Sequence, residues 1–173
     1  MKYVFFDIEC ANFVDDIFTI CTFGYTITDE NFKVIKKEDI LVNPKSKFNK
    51  IVLKKIIHYE EYEFLDKPDF KSIYPFIKEL LTNKDHICFG FDVSNDLRFL
   101  NGEYKRYGLE PIRIKAYDIQ HIHKLVNNLK TPESLSKAAL TISLTCSKSS
   151  FVKRRTSQSG AFPLSSFLVA SIS

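Results

Sequence analysis

The chain has 173 residues, 45% of them hydrophobic and 16 of them phenylalanine, which is enough apolar mass for one domain with its own core and too much for a disordered chain. The formal charge of +4 is misleading: residues 1–133 hold all 21 acids and 20 of the 25 Lys and Arg, so the positive balance belongs to residues 134–173 and does not mark a basic nucleic-acid-binding domain. No apolar run approaches a membrane span, no leader pattern opens the chain, and Cys10, Cys21, Cys88 and Cys146 lack paired metal or redox spacing, which together read as a cytoplasmic protein with reduced, packed thiols and no membrane association.

Residues 3–9 are predicted as an apolar strand that ends in two acids, Asp7 and Glu9. Residues 17–28, rich in β-branched and aromatic side chains, give a second strand, and residues 32–42 a third that Asn43-Pro44 stops. These three form an antiparallel meander. Residues 45–69 read as irregular or as a short helix, with Lys45, Lys47, Lys50, Lys54 and Lys55 near their start. That basic group is either a solvated face or a contact for a phosphate backbone. Phe70, Ile73, Tyr74, Ile77, Leu80 and Leu81 recur at helical spacing and predict a helix over 70–81. A short apolar strand follows over 86–91. Leu97, Leu100, Tyr104 and Tyr107 mark a second helix closed by Gly108, residues 112–117 another strand, and Ile119 to Leu129 a third helix, with Leu135, Ala138 and Ala139 opening a fourth. The order describes an α/β fold: a mixed sheet, antiparallel over its first three strands and then extended by helix-crossed parallel strands, with helices on its faces. The first strand is predicted central, so that its C-terminal end carries Asp7 and Glu9 to where such sheets place ligands.

In a strand, residues two apart share a face, so Asp7 and Glu9 leave the first strand side by side. Two adjacent carboxylates repel, and a hard divalent cation with oxygen preference relieves them. The plain alternative is a strand end meeting water. Asp92, Ser94 and Asp96 lie where a strand turns into a helix. One of them suffices as a cap, a role that suits Asp92 or Ser94 and leaves Asp96, in the first turn, to complete a cluster with Asp7 and Glu9.

With Phe5-Phe6-Asp7-Ile8-Glu9-Cys10 followed by Ser94-Asn95-Asp96-Leu97-Arg98-Phe99-Leu100, the chain resembles, over residues 1–140, the DEDD (DnaQ-like) 3′–5′ exonuclease superfamily. That group has a ribonuclease H-like fold and includes polymerase proofreading subunits, ribonuclease T and oligoribonuclease. The resemblance implies a metal-dependent 3′–5′ exonuclease acting on single-stranded DNA or RNA 3′ ends with two divalent ions, Mg²⁺ or Mn²⁺, about 3.5–4 Å apart. By the same resemblance Asp7 bridges both ions, Glu9 holds the one that activates water, and Asp96 holds the other, partly through water. Ala11, Asn12 and Phe13 then lie near the terminal nucleotide, where Phe13 either stacks on a base or belongs to the core.

The third motif of that family, a late-helix His (or Tyr) and an Asp that completes the metal ligands, has no counterpart here. His121 and His123 are followed five positions later by Val126 and Asn128, and no acid follows Glu133. No general base is therefore identified. Asp118 is the nearest leftover acid, either a cap for the helix at 119–129 or a stand-in ligand. Residues 134–173 contain 12 serines and little periodicity. The expected organisation is an exonuclease-like domain over 1–140, incomplete at its C-terminal end, and a Ser-rich tail over 141–173 that is disordered or the product of a reading-frame shift near 139–141. The competing function is a non-catalytic nucleic-acid- or protein-binding module that retains the fold.

Overall fold

The computed structural model describes residues 1–14, 17–55, 57 and 59–138, without the side chains of 13, 14, 17, 54 and 55. Five strands form one sheet: β1 (Lys2–Val14), β2 (Ile17–Thr28), β3 (Val34–Leu41), β4 (His86–Gly90) and β5 (Ala116–Asp118), in the order β3-β2-β1-β4-β5. The β1–β2 and β2–β3 pairs are antiparallel and the β1–β4 and β4–β5 pairs parallel. The mixed α/β sheet expected from the element order is therefore present, with the most apolar strand at its centre.

Alternation along β1 sets the layers. Val4, Phe6 and Ile8 are buried, whereas Asp7 is exposed. The buried residues join Phe23 and Tyr25 of β2, Ile77, Leu80 and Leu81 of α2 (Phe70–Thr82), and Leu100 and Tyr104 of α3 (Val93–Tyr107) in the main core. Helix α2 starts where Asp69 accepts the backbone N–H of Ser72 at 3.0 Å, a normal N-cap. A second, smaller cluster gathers Ala11 and Cys21 with Ile57 and Phe64 of the segment after β3. That segment is partly helical, with α1 (Lys50–Lys55) and a 3-10 turn at Glu61–Phe64.

Three elements differ from their sequence-based bounds. Strand β1 does not stop at Glu9. It runs on to Val14 because the long β2 offers a partner for every turn of the hairpin, while β4 pairs only with Lys2 to Phe5. The strand expected over 112–117 shrinks to Ala116–Asp118, since β4 presents only Cys88, Phe89 and Gly90 to it. Ile112 goes into the core instead. The helix expected over 119–129 ends earlier, as α4 (Ile119–Val126), with Asn128 at φ 52 in the left-handed region beyond it.

Residues Met1–Asp118 form one compact unit, and the described residues from Ile119 on belong to a second. The described part of the second holds α4 and a helical turn at 135–138, and within it Gln120 Nε2 donates to the Glu133 carbonyl at 3.0 Å. The expected tail over 141–173, the frame-shift point near 139–141 and Cys146 lie outside the described residues. Among the described residues no helix is long and apolar enough to cross a membrane.

Candidate carboxylate site

Asp7 and Glu9 leave the same face of β1, opposite to Phe6 and Ile8. Just past Glu9 the β1–β2 register shifts twice, so that Cys21 is extra on β2 and Ala11 extra on β1. Bulges of this kind re-aim side chains beside functional sites. The backbone N–H of Ile20 at this irregularity is taken by Glu103 of α3 at 2.8 Å. Glu103 is fully buried and also pairs with Arg106 at 3.2 Å, so α3 is fastened to the bulged part of the hairpin.

The third acid comes from the turn between β4 and α3. Asp92 takes φ 59 there, a left-handed conformation that Asp tolerates. Neither Asp92 nor Ser94 caps the helix: the Ser94 hydroxyl and the Asn95 amide both donate to the Asp92 carboxylate, and Asp92 makes no side-chain cap bond. The cap is Asp118. Its carboxylate accepts the backbone N–H of Asp92 at 3.3 Å and of Val93 at 3.2 Å. Asp118 was expected as a cap for the helix that follows it or as a stand-in ligand; the parallel pairing of Gly90 with Asp118 also sets its side chain beside the start of α3.

This turn places Asp96 one helical turn in, 3% exposed, with Oδ2 lacking a hydrogen-bond partner among the described residues. Gly90 makes room for it. A Cβ there would stand 2.9 Å from Val93 Cγ2 and 3.3 Å from both Asp96 Oδ2 and the Phe6 carbonyl. Burial pushes the Asp96 carboxyl up to about 9, with the charges of Asp7, Asp92 and Glu9 adding and the Ile8 amide opposing. Burial likewise raises Glu9 to about 7, reinforced by Asp7 and Asp39. Asp7 is raised too, chiefly because the surrounding protein displaces water from a group that is still exposed at its tip, and secondarily by Asp39 against the Ile8 amide. Three acids thus destabilise one another's ionised forms. An orphaned buried oxygen and an all-oxygen donor set suit a hard cation. As they stand, no three His, Cys, Asp or Glu side chains among the described residues are grouped closely enough to enclose one ion.

Ala11 is fully buried in the smaller core, its carbonyl accepting the Asn49 N–H at 2.9 Å. Asn12 is half-buried and its carbonyl accepts the Thr19 hydroxyl at 3.1 Å. Phe13 lies on β1 opposite Phe18, and its ring is outside the described residues. His121 and His123 both lie on α4. Cys10, Cys21 and Cys88 are free, and burial pushes the Cys21 thiol up to about 12 and that of Cys88 to about 11, as unreactive packed thiols require.

Exonuclease I superposes on this chain with a TM-score of 0.64 at 16% identity, over 75% of this chain and 30% of that one. The chain has the exonuclease I fold. A product-bound exonuclease I gives a TM-score of 0.63 over 32% of its length, and E. coli exonuclease I in complex with a dT13 oligonucleotide gives 0.62 over 30%, each at 16% identity. In sequence, 130 residues are 27% identical to the PolC-type DNA polymerase III of Ureaplasma parvum serovar 3, covering 75% of this chain but 9% of the polymerase. No protein-family model matches. The ribonuclease H-like fold expected from the two motifs is therefore present, and the chain spans only a minor part of each protein it resembles.

Proposed function

We propose that this chain is a 3′–5′ exonuclease domain that hydrolyses phosphodiester bonds at single-stranded DNA or RNA ends, with Asp7, Glu9 and Asp96 holding divalent ions, Mg²⁺ or Mn²⁺. The observation that carries the reading is the buried, unpartnered Asp96 Oδ2 beside the Asp7 and Glu9 charges, in a fold shared with an exonuclease that has been seen with oligonucleotides. Bound ions supply a water of lowered pKa and stabilise the departing oxygen. The protein's part is to hold three carboxylates ionised around them. Burial favours the protonated form of Asp96, and in part that of Glu9, at neutral pH without metal, so loading an ion releases protons.

The test is degradation of a 5′-labelled single strand, DNA and RNA in parallel, with Mn²⁺, Mg²⁺ or chelator, comparing the chain with its Asp7→Ala variant. A metal-dependent ladder of 3′-shortened products, lost in the variant, is expected. A ladder that survives in the variant or in chelator sinks the reading.

One observation favours a second reading, a nucleic-acid- or protein-binding module without catalysis: no acid follows Glu133 and no general base is found. A missing general base costs about 10²–10⁴-fold in rate. A frame shift near 139–141 accounts for both absences, and translating the coding DNA in the other two frames tests it. If neither gives an acidic helical segment with His or Tyr four or five residues before Asp, the idea fails.

A further inference from the structure

Residues 45–55 carry five lysines and no acid. The side chains of Lys45, Lys47 and Lys50 are described, and all three are exposed, whereas Ser46 and Phe48 between them are half-buried. The Ser46 and Thr19 hydroxyls are hydrogen-bonded at 2.9 Å, and Phe48 packs on Phe64 with ring centroids 4.8 Å apart. The Asn49 N–H donates to the Ala11 carbonyl at 2.9 Å, and Arg106 donates to the Lys45 carbonyl at 3.3 Å. Residues 45–50 are thus a strap fastened to the β1–β2 hairpin and to α3, with its lysines outward.

The strap covers the sheet face that carries the carboxylates. Cys10 and Ile20 pack with the main core, whereas Ala11 and Cys21 belong to the smaller cluster with Phe48, on the side from which Asp7 and Glu9 leave. Ala11, where Asn49 is fastened, is two residues past Glu9. Exposed lysines are ordinarily just solvated, but these three are also left without compensating charge. Acids follow at Glu60, Glu61, Glu63 and Asp66, yet Asp66 pairs with Lys67 at 3.3 Å and Glu63 accepts the Glu60 N–H at 2.7 Å. Lys45 bears on Asp69 without pairing with it, and among the described residues none of the three lysines forms an ion pair. Cations held in a row on a fixed backbone repel one another, and a polyanion relieves them. We propose that Lys45, Lys47 and Lys50 are a contact surface for the phosphate backbone of a single strand whose end lies at Asp7 and Glu9. The proposal rests on the reading of the chain as an exonuclease domain, and it names the surface that holds the strand away from the cut.

The test is fluorescence anisotropy of end-labelled oligo-dT and oligo-rU with the whole chain, in chelator and over a range of NaCl concentrations, with melting curves to confirm folding. Each phosphate neutralised on a single strand contributes about 0.7 to the slope of log K against log salt. The triple variant Lys45→Gln, Lys47→Gln, Lys50→Gln is therefore expected to lower that slope by about 2 and to bind about tenfold more weakly or worse at 0.1 M salt. A control triple variant, Lys2→Gln, Lys33→Gln, Lys84→Gln, removes the same charge from exposed lysines at the other end of β1 and is expected to keep the wild-type slope. Wild type that binds neither oligonucleotide, a strap variant with the wild-type slope, or a control that loses as much overturns the strap. In that event a metal-dependent ladder of 3′-shortened products still upholds the exonuclease reading. Strap-dependent binding without any ladder upholds the contact surface and overturns catalysis.

Discussion

The Asp118 carboxylate caps Val93 from 25 residues away, accepting its backbone N–H at 3.2 Å. The last strand of the sheet therefore fixes the first turn of α3, and that turn carries Asp96. Removing an N-cap acceptor costs about 0.5–2 kcal/mol. Asp118→Ala is expected to lose about 1 kcal/mol in urea unfolding, and Asp118→Asn, which keeps an acceptor, clearly less. Equal losses would show that the contact is not a cap.

Gly90 and Asp96 are bound to each other by space. A methyl on Gly90 meets Val93 Cγ2 at 2.9 Å and the Phe6 carbonyl, a backbone atom that cannot swing aside, at 3.3 Å. Gly90→Ala is expected to cost about 1–3 kcal/mol, as overpacked positions do. A melting temperature unchanged from wild type would contradict this.

Glu103 accepts Ile20 N–H and pairs with Arg106 while fully buried. Glu103→Ala strands a backbone donor and one partner of an ion pair, an expected loss of about 3 kcal/mol. Burial raises the Glu103 pKa, against the Ile20 amide and Arg106, so a neutral acceptor is nearly as welcome. Glu103→Gln should therefore lose less than about 1 kcal/mol in the same urea measurement. A Gln variant as unstable as Ala would mean that the charge itself is required.

Without metal, the acids make stability fall with rising pH. Asp96 moves from 3.8 to about 9 on folding and Glu9 from 4.5 to about 7. Between the unfolded and folded values the native state binds more protons, so the unfolding free energy drops as pH rises through that window and flattens above it. Asp96→Asn removes the largest contribution. It should melt close to wild type near pH 4 and higher than wild type at pH 8.5 in chelator, by a few degrees for about 1 kcal/mol. Adding Mn²⁺ at pH 8.5 should raise wild type more than the variant. A variant that melts below wild type at pH 8.5 in chelator would overturn the electrostatic reading.

The hairpin of the first strands, the helix over 70–81 and the position of Asp96 in the first turn of a helix were legible because each rests on local signals: a hairpin run, a 3.6-residue period, a strand-to-helix turn. What escaped was set by pairing at a distance. Glu9 looked like a strand end because the apolar run stops there, yet β2 carries the hairpin on to Val14. That Asp118 also accepts the Val93 N–H depends on the β4–β5 register, which no local signal carries.

The most direct measurement of the central claim is anomalous scattering from crystals of the chain soaked in Mn²⁺ at pH 8, where Asp96 and Glu9 can release their protons to a metal. The account predicts a strong peak contacted by Asp7 and Glu9, with the Asp96 carboxylate turned toward it. Well-diffracting crystals with no peak at these carboxylates, or with Mn²⁺ only elsewhere on the surface, would contradict it.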